Sequence, residues 1–383
     1  MLAGAAEAGE RVVVAAREGV RPLRLDDLLG APESSVDWAR VRSAIEGRRV
    51  LVTGGAGSIG GELARKLATL GPARLSIFDN SEFNLSQIAQ DLPLAPEALA
   101  LRYGCIRDAE AVKRFFTREK PDIVFHAAAM KHVPIVEANP SEGALTNVLG
   151  SRNILEAAAR IGAHVVFVST DKAANPLSVM GATKRLIELY CQAIDREAGE
   201  GAPRRLVARL GNVLGSAGSV TPLFERQLDA GGPLTVTDPD VVRYFITIRQ
   251  AADFLLHAAA VAMDAKERGV AHILDMGEPV PIVDVARDMI RLRGLAPDRD
   301  VAIKFVGLRP GEKLREEMTG DDEIEEAIVA PGVAAVRSPA VARAVLEAQI
   351  ERIVAAARMG ADDAVRRLTL DAAAPAGAER ALA

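Results

Sequence analysis

A short apolar run, Val50-Leu51-Val52, leads straight into Thr53-Gly54-Gly55-Ala56-Gly57-Ser58-Ile59-Gly60, and Ile59 to Leu70 then carries helical periodicity. A buried strand feeding a glycine-rich turn and a helix is compatible with few folds. Without side chains at 54, 57 and 60 the backbone can approach a pyrophosphate closely, and the helix N–H groups point at its charge. Arg74–Asp79 reads as the next strand, and its terminal Asp79 stands 19 residues after Gly60. A carboxylate there accepts hydrogen bonds from a ribose diol and repels a 2′-phosphate, which favours NAD over NADP. A glycine-rich turn alone is a weak signal, and a strand-end acid is often merely solvated. Both strands, the helix and the acid in this order make a dinucleotide site.

Further apolar runs at Asp122–Phe125, Val165–Val168 and Leu206–Arg209 alternate with helical segments. Such alternation predicts an α/β fold with a doubly wound parallel sheet, here of the Rossmann kind. Residues 47–210 form the expected dinucleotide-binding domain, with a helix over 249–263 returning to it. Residues 1–46 read as a lead-in, with a short strand at Arg11–Ala16 and a segment Leu25–Gly30 of no recognisable chemistry. Glycines and prolines cluster from 211 to 239, so residues 211–338 read mainly as a smaller, split substrate-binding lobe. Residues 339–383 read as C-terminal helices, over 340–368, and a frayed Ala-rich tail from Asp371.

The net charge of −5 gives no basic footprint, which argues against nucleic acid as a partner. Cys105 and Cys191 are the only cysteines, too few for a disulfide framework, so a reducing compartment is expected. No metal-ligand pattern is evident. No apolar run approaches the roughly 18 residues a membrane helix needs, and the first residues lack the basic n-region of a signal peptide.

Chemistry concentrates in Ser169-Thr170-Asp171-Lys172 and Met180-Gly181-Ala182-Thr183-Lys184. Lys184 lies one turn after Met180 on the same helix face. A Thr-Asp-Lys turn after a strand is by itself usually solvated, and a lone Met is usually core filler. The flanking segments change that weighting. Phe125-His126-Ala127-Ala128-Ala129-Met130-Lys131-His132-Val133-Pro134, Asn147–Gly150, Arg209–Ser216, Gly218-Ser219-Val220, Arg243–Ile248, Leu274–Pro279 and Gly307–Leu314 occur in order. Together they resemble the capsule-type polysaccharide-biosynthesis dehydratases, extended short-chain dehydrogenase/reductases acting on UDP-N-acetylglucosamine, over about residues 20–330. Relatives with Met in place of the usual Tyr resemble the C5-retaining branch.

The resemblance implies NAD-dependent 4,6-dehydration of UDP-N-acetylglucosamine with retention at C5, in glycan or surface-polysaccharide biosynthesis. It implies that Gly54, Gly57, Ser58, Ile59, Gly60, Asp79, Ile106, Ala127, Ala128 and Lys184 hold the cofactor. Thr170 would bind the C4 oxygen and Asp171 would act as acid on the C6 hydroxyl. Lys172 would be the base at C5, since burial beside a positive nicotinamide favours the neutral amine. Met180 would pack without titrating. Lys131, His132, Asn212, Gly218, Ser219, Val220, Arg243, Arg309 and Glu312 would hold the substrate, with forked donors from Arg243 and Arg309 for its phosphates. His132 reads equally well as a residue that positions its loop. One departure is Cys105, where the family usually has an Asp near the adenine; the Ile106 backbone would still reach it.

Three other readings stay open: a C5-inverting dehydratase, a sugar-nucleotide 4-epimerase, and an inert NAD-binding regulator. A homodimer is expected, with helices near 142–160 and 178–199 pairing across a two-fold axis through Ile154, Leu155, Leu186, Ile187 and Leu189. Retaining relatives are often anchored by an N-terminal membrane region that this sequence lacks. As a soluble member or as the catalytic part of an anchored protein, the expected location is the cytoplasm.

Overall fold

The computed structural model describes residues 36–374. The strand expected at Arg11–Ala16, the Leu25–Gly30 segment and the tail past residue 374 lie outside the described residues. Strands β1 (Arg49–Thr53), β2 (Arg74–Asp79), β3 (Leu99–Tyr103), β4 (Ile123–His126), β5 (His164–Thr170) and β6 (Arg205–Leu210) line up in the order 3-2-1-4-5-6. Every neighbouring pair is parallel. The order reverses between β1 and β4, so a crevice opens beyond their carboxyl ends.

Helices cover both faces, which is why β4 and β6 are buried at every residue and read as unbroken runs. One face carries the helices Trp38–Ile45, Ser58–Ala68, Glu82–Asp91 and Ile248–Asp264. The last begins in a capping box made by Thr247 and Gln250, which fixes where the chain re-enters the sheet domain. The other face carries Ala109–Glu119, Ser151–Ile161 and Val179–Glu197. A separate small core, with Phe224, Leu234, Val285 and Ile290 at its centre, holds the second lobe together.

The sheet does not stop at β6. Ala271–Leu274 adds in parallel, and the antiparallel pair Val333–Arg337 and Ile324–Ala330 follows it. These strands lie within 211–338, so part of the stretch assigned to the substrate lobe belongs to the nucleotide-binding sheet. The four-residue strand at 271 contains a fully buried His272, and no apolar run announces it.

The C-terminal helices Arg343–Arg358 and Asp362–Ala373 change the reading of the dimer. They pack on the helix Val179–Glu197 and on the turns over 140–150, and place Leu346, Ile350, Ile353 and Val365 in the same core as Ile154, Leu155, Leu186, Ile187 and Leu189. The apolar face expected to meet a second copy is therefore covered by the chain itself, and those residues give no argument for a homodimer. The same helix carries residues 371–373, which were expected to fray.

Candidate active site

The turn after β1 is built around Gly54. Its φ is +64°, and a Cβ there would sit 2.7 Å from the Ala128 backbone, so the turn packs against the end of β4 with no room for a side chain. The helix that follows starts at Ser58 with no side chain capping it, leaving its leading N–H groups for an anion. Asp79 closes β2 beside this turn. Its two carboxylate oxygens accept from the Ala56 N–H at 3.0 Å and the Ser81 N–H at 2.9 Å, which fixes the carboxylate beside the glycine turn. These features fit a dinucleotide. Beneath the turn, buried His126 bonds Thr53 at 2.6 Å and Ser151 at 2.9 Å. Burial, with the Lys184 charge, pushes its imidazole down to about 3, so it is a neutral strut. The Ile106 carbonyl is occupied by Asn153 Nδ2 at 2.9 Å.

A cleft of about 400 Å³ lies between the sheet domain and the small lobe. Ile59, Ala127, Lys131, His132, Thr170, Lys172, Met180, Lys184 and Asn212 line it from the sheet side. Gly218, Ser219, Val220, Arg243, Arg309 and Glu312 close the other side. Gly54, Gly57, Ser58, Gly60, Asp79, Ile106 and Ala128 are not among its lining; they belong to the turn over β1 and the strand ends beside it. Gly218 has φ +73°, and a Cβ there would fall 2.2 Å from the His132 ring, so a side chain would strain the backbone and push the ring aside. The His132 ring therefore lies against the Gly218 backbone, where the two walls of the cleft meet.

The reactive centre forms where β5 runs into a short 3₁₀ turn, Asp171–Ala173. Thr170 Oγ1 donates to Asp171 Oδ1 at 2.9 Å, and Lys172 Nζ donates to the same oxygen at 2.8 Å and to Asn212 Oδ1 at 2.9 Å. Asn212, which the sequence suggested for the nucleotide, thus stands at this cluster. Asp171 is fully buried and does not line the cleft. Its Oδ1 holds Thr170 and Lys172, and its buried Oδ2 has no partner among the described residues.

The helix Val179–Glu197 presents the next residues. Ser178 caps it by accepting from Gly181 N–H, and Glu137 accepts from Val179 N–H at 2.6 Å. Met180 is 2% exposed and packs with Met130, Val133, Val136 and Val179. One turn on, Lys184 Nζ donates to the Val168 carbonyl at 3.0 Å and stands 4.7 Å over the Phe167 ring. Burial pushes its amine down to about 8, against the pull of Glu188.

Arg243 is nearly buried. Its guanidinium donates to the Val242, Lys313 and Leu314 carbonyls, which braces the Arg309–Leu314 segment from the cleft wall. Arg309 is exposed at the mouth, and Glu312 accepts from its backbone N–H at 3.1 Å. Lys131 reaches Ser216 Oγ at 3.3 Å.

Sequence reasoning missed two residues. Asn147 sits in a π-helical turn, Leu145–Gly150, and bonds both the Met130 N–H and carbonyl plus Thr183, which fixes the loop carrying Lys131. Its motif was noticed but not its task. Glu316 lines the cleft at 3% exposure, 3.7 Å from Lys172 Nζ. Its only signal was its place two residues after the Gly307–Leu314 motif.

Comparison with known proteins decides the family. The profile described as "Polysaccharide biosynthesis protein" matches residues 50–338. The chain belongs to this family. It is 39% identical over 318 residues to the probable polysaccharide biosynthesis protein EpsC of Bacillus subtilis, covering 82% of this chain and 52% of that one. It thus spans about half the length of that relative. It is 34% identical over 281 residues to the inverting UDP-N-acetylglucosamine 4,6-dehydratase of Campylobacter jejuni, covering 72% and 78% of the two chains. Among solved structures it resembles DesIV, a dTDP-glucose 4,6-dehydratase of Streptomyces venezuelae determined with NAD and TYD bound. There the TM-score is 0.59 at 26% identity, over 71% of this chain and 88% of that one. Among the described residues, no helix is long and apolar enough to cross a membrane.

Proposed function

We propose that this family member catalyses the NAD-dependent 4,6-dehydration of UDP-N-acetylglucosamine with retention at C5, for glycan or surface-polysaccharide biosynthesis. NAD, when bound, supplies the hydride acceptor for C4 and the hydride donor for C6. The observation that carries this reading is Lys172 on the cleft wall, held by Asp171 and Asn212 beside Thr170, with Met180 where a titrating residue would otherwise stand. Asp171 and Asn212 fix where the amine stands, and as the base it takes the C5 proton. Thr170 binds the C4 oxygen, and Lys184 orients the nicotinamide ribose. The UDP half lies toward Arg309, Glu312 and the start of the helix Val220–Asp229, whose leading N–H groups also lack a side-chain cap.

A 4-epimerase needs no base at C5, so Lys172 favours dehydration over that reaction. The inverting relatives make the other dehydratase outcome the closest competitor. Retention follows from one base on one face: the amine that removes the C5 proton is the one that returns it. Turnover of UDP-N-acetylglucosamine in D2O should give a 4-keto-6-deoxy product of parent C5 configuration carrying deuterium at C5. The C5-inverted sugar as first product would overturn the one-base account.

A further inference from the structure

We propose that Glu137, held by Arg366 of the C-terminal helix, is a positioning residue that seats the helix Val179–Glu197 against Lys172, a role that rests on the dehydratase reading above. Glu137 lies in the short helix Val133–Ala138, which follows directly on Lys131 and His132. Its side chain is 9% exposed. Oε1 accepts from the Val179 N–H, the first of the helix that carries Met180 and Lys184. Oε2 pairs with Arg366, whose guanidinium also donates to the Glu137 carbonyl at 2.7 Å. Asp362, one turn earlier on the Arg366 helix, accepts from the Ser141 N–H at 3.0 Å and from the Ser141 hydroxyl. Two polar contacts thus register the C-terminal helix on the segment that follows the Lys131 loop.

What Glu137 holds bears directly on the reacting groups. A Cβ at Gly181 would fall 2.1 Å from the Lys172 carbonyl oxygen, so the start of the helix lies on the Lys172 backbone. A Cβ at Gly311 would fall 2.8 Å from Ser178 Cβ and 3.4 Å from Glu137 Oε1, so the segment carrying Arg309 and Glu312 rests on the same point. Met180 packs with Val133 and Val136 of the Glu137 helix. Three parts of the cleft wall therefore meet at one carboxylate. A negative charge at a helix N-terminus is favoured by the helix dipole, and a charge held in place fixes where that helix begins. With no slack at Gly181, a shift of this end passes to Lys172.

Arg366 lies beyond residues 50–338, the stretch matched by the family profile. The helix that bears it covers an apolar face of the sheet domain and, through Glu137, also ties the cleft to the C-terminal part of the chain. Arg366 is 38% exposed, and an ion pair open to solvent adds little to stability. Its loss is therefore expected to show in the rate more than in the unfolding midpoint.

Arg366→Ala and Glu137→Ala, made in the full chain loaded with NAD, test this. Peptide-resolved amide exchange should be faster over 178–184 in both variants and unchanged over β1 and β4. Well below the unfolding temperature, kcat on UDP-N-acetylglucosamine should fall on the order of tenfold, within the range for a misplaced reacting group, with KM moving less than kcat. Guanidinium chloride at low millimolar concentration should restore part of the rate to Arg366→Ala, and sodium chloride at the same ionic strength should not. Neither salt should rescue Glu137→Ala, which lacks the carboxylate that guanidinium would meet. If Arg366→Ala does not fold, Arg366→Lys takes its place, with a smaller rate loss and the same faster exchange over 178–184. Exchange there at the parent's rate, or raised equally across the sheet domain, would overturn the proposal. So would an unchanged kcat, or a loss in Arg366→Ala that guanidinium does not relieve. If the parent forms no 4-keto-6-deoxy product while the exchange responds as expected, the dehydratase reading fails and the coupling through Glu137 stands.

Discussion

Lys172→Ala should lower turnover at least about a hundredfold, within the range for removal of a general base, with NAD still bound. The amine meets Asp171, Asn212 and Glu316 at once. No other described lysine makes these contacts, and the shorter side chain leaves the C5 proton without an acceptor. Met180 supplies the control. It is almost fully buried among Val133, Val136 and Val179, so truncation to alanine would confound chemistry with a cavity. Met180→Leu keeps the volume, and its expected effect on turnover is small, because no proton passes through residue 180. Steady-state rates on the two variants settle the division of labour. A Met180→Leu loss as large as that of Lys172→Ala would show the roles are wrongly assigned.

Arg209→Met should destabilise the fold by about 3–5 kcal/mol, the cost of leaving buried charges without their partner. Arg209 is fully buried near the end of β6. Its guanidinium bonds Glu188 at 3.0 Å, Glu323 at 2.7 Å and the Met318 carbonyl at 2.6 Å. Burial alone would raise the Glu323 carboxyl, yet the Arg209 hydrogen bonds and charge, with Arg185, hold it well below its usual range. Without Arg209 both carboxylates stay in the interior, with Arg185 as their remaining ion-pair partner among the described residues. Glu188 sits one turn after Lys184, so the loss should spread to activity. Urea unfolding of the variant and the parent measures the difference. Equal midpoints would mean that the network contributes little.

The fold was legible where local chemistry dictates it. The turn from Gly54 to Gly60, the runs that became β1, β4 and β5, and the helix carrying Lys184 can be read directly, because glycine geometry and two-sided burial leave marks in sequence. Ala271–Leu274 cannot, because His272 breaks its short apolar run. The hairpin over 324–337 did leave a mark, apolar runs at Ala327–Ala330 and Val333–Val336 around Pro331-Gly332, but nothing in those runs says which sheet they join. The apolar stripe of Leu186, Ile187 and Leu189 shows that something covers this helix. It does not show that the cover is the chain's own C-terminal pair, since a stripe carries no address. At the site, Thr170, Lys172 and Lys184 were evident from motif order. The inward turn of Asp171 and the approach of Glu316 from about 145 residues away are consequences of tertiary folding, as is the diversion of Arg243 to backbone carbonyls.

The central claim is that a hydride leaves C4 and returns to C6 of the same sugar. UDP-N-acetylglucosamine carrying deuterium at C4, incubated with the enzyme and followed by ¹H and ²H NMR, tests it most directly. The account predicts a 4-keto product whose C6 methyl group carries that deuterium, with no net reduced cofactor released. Deuterium that returns to C4 of an epimerised sugar, or that appears in free NADH, would contradict it.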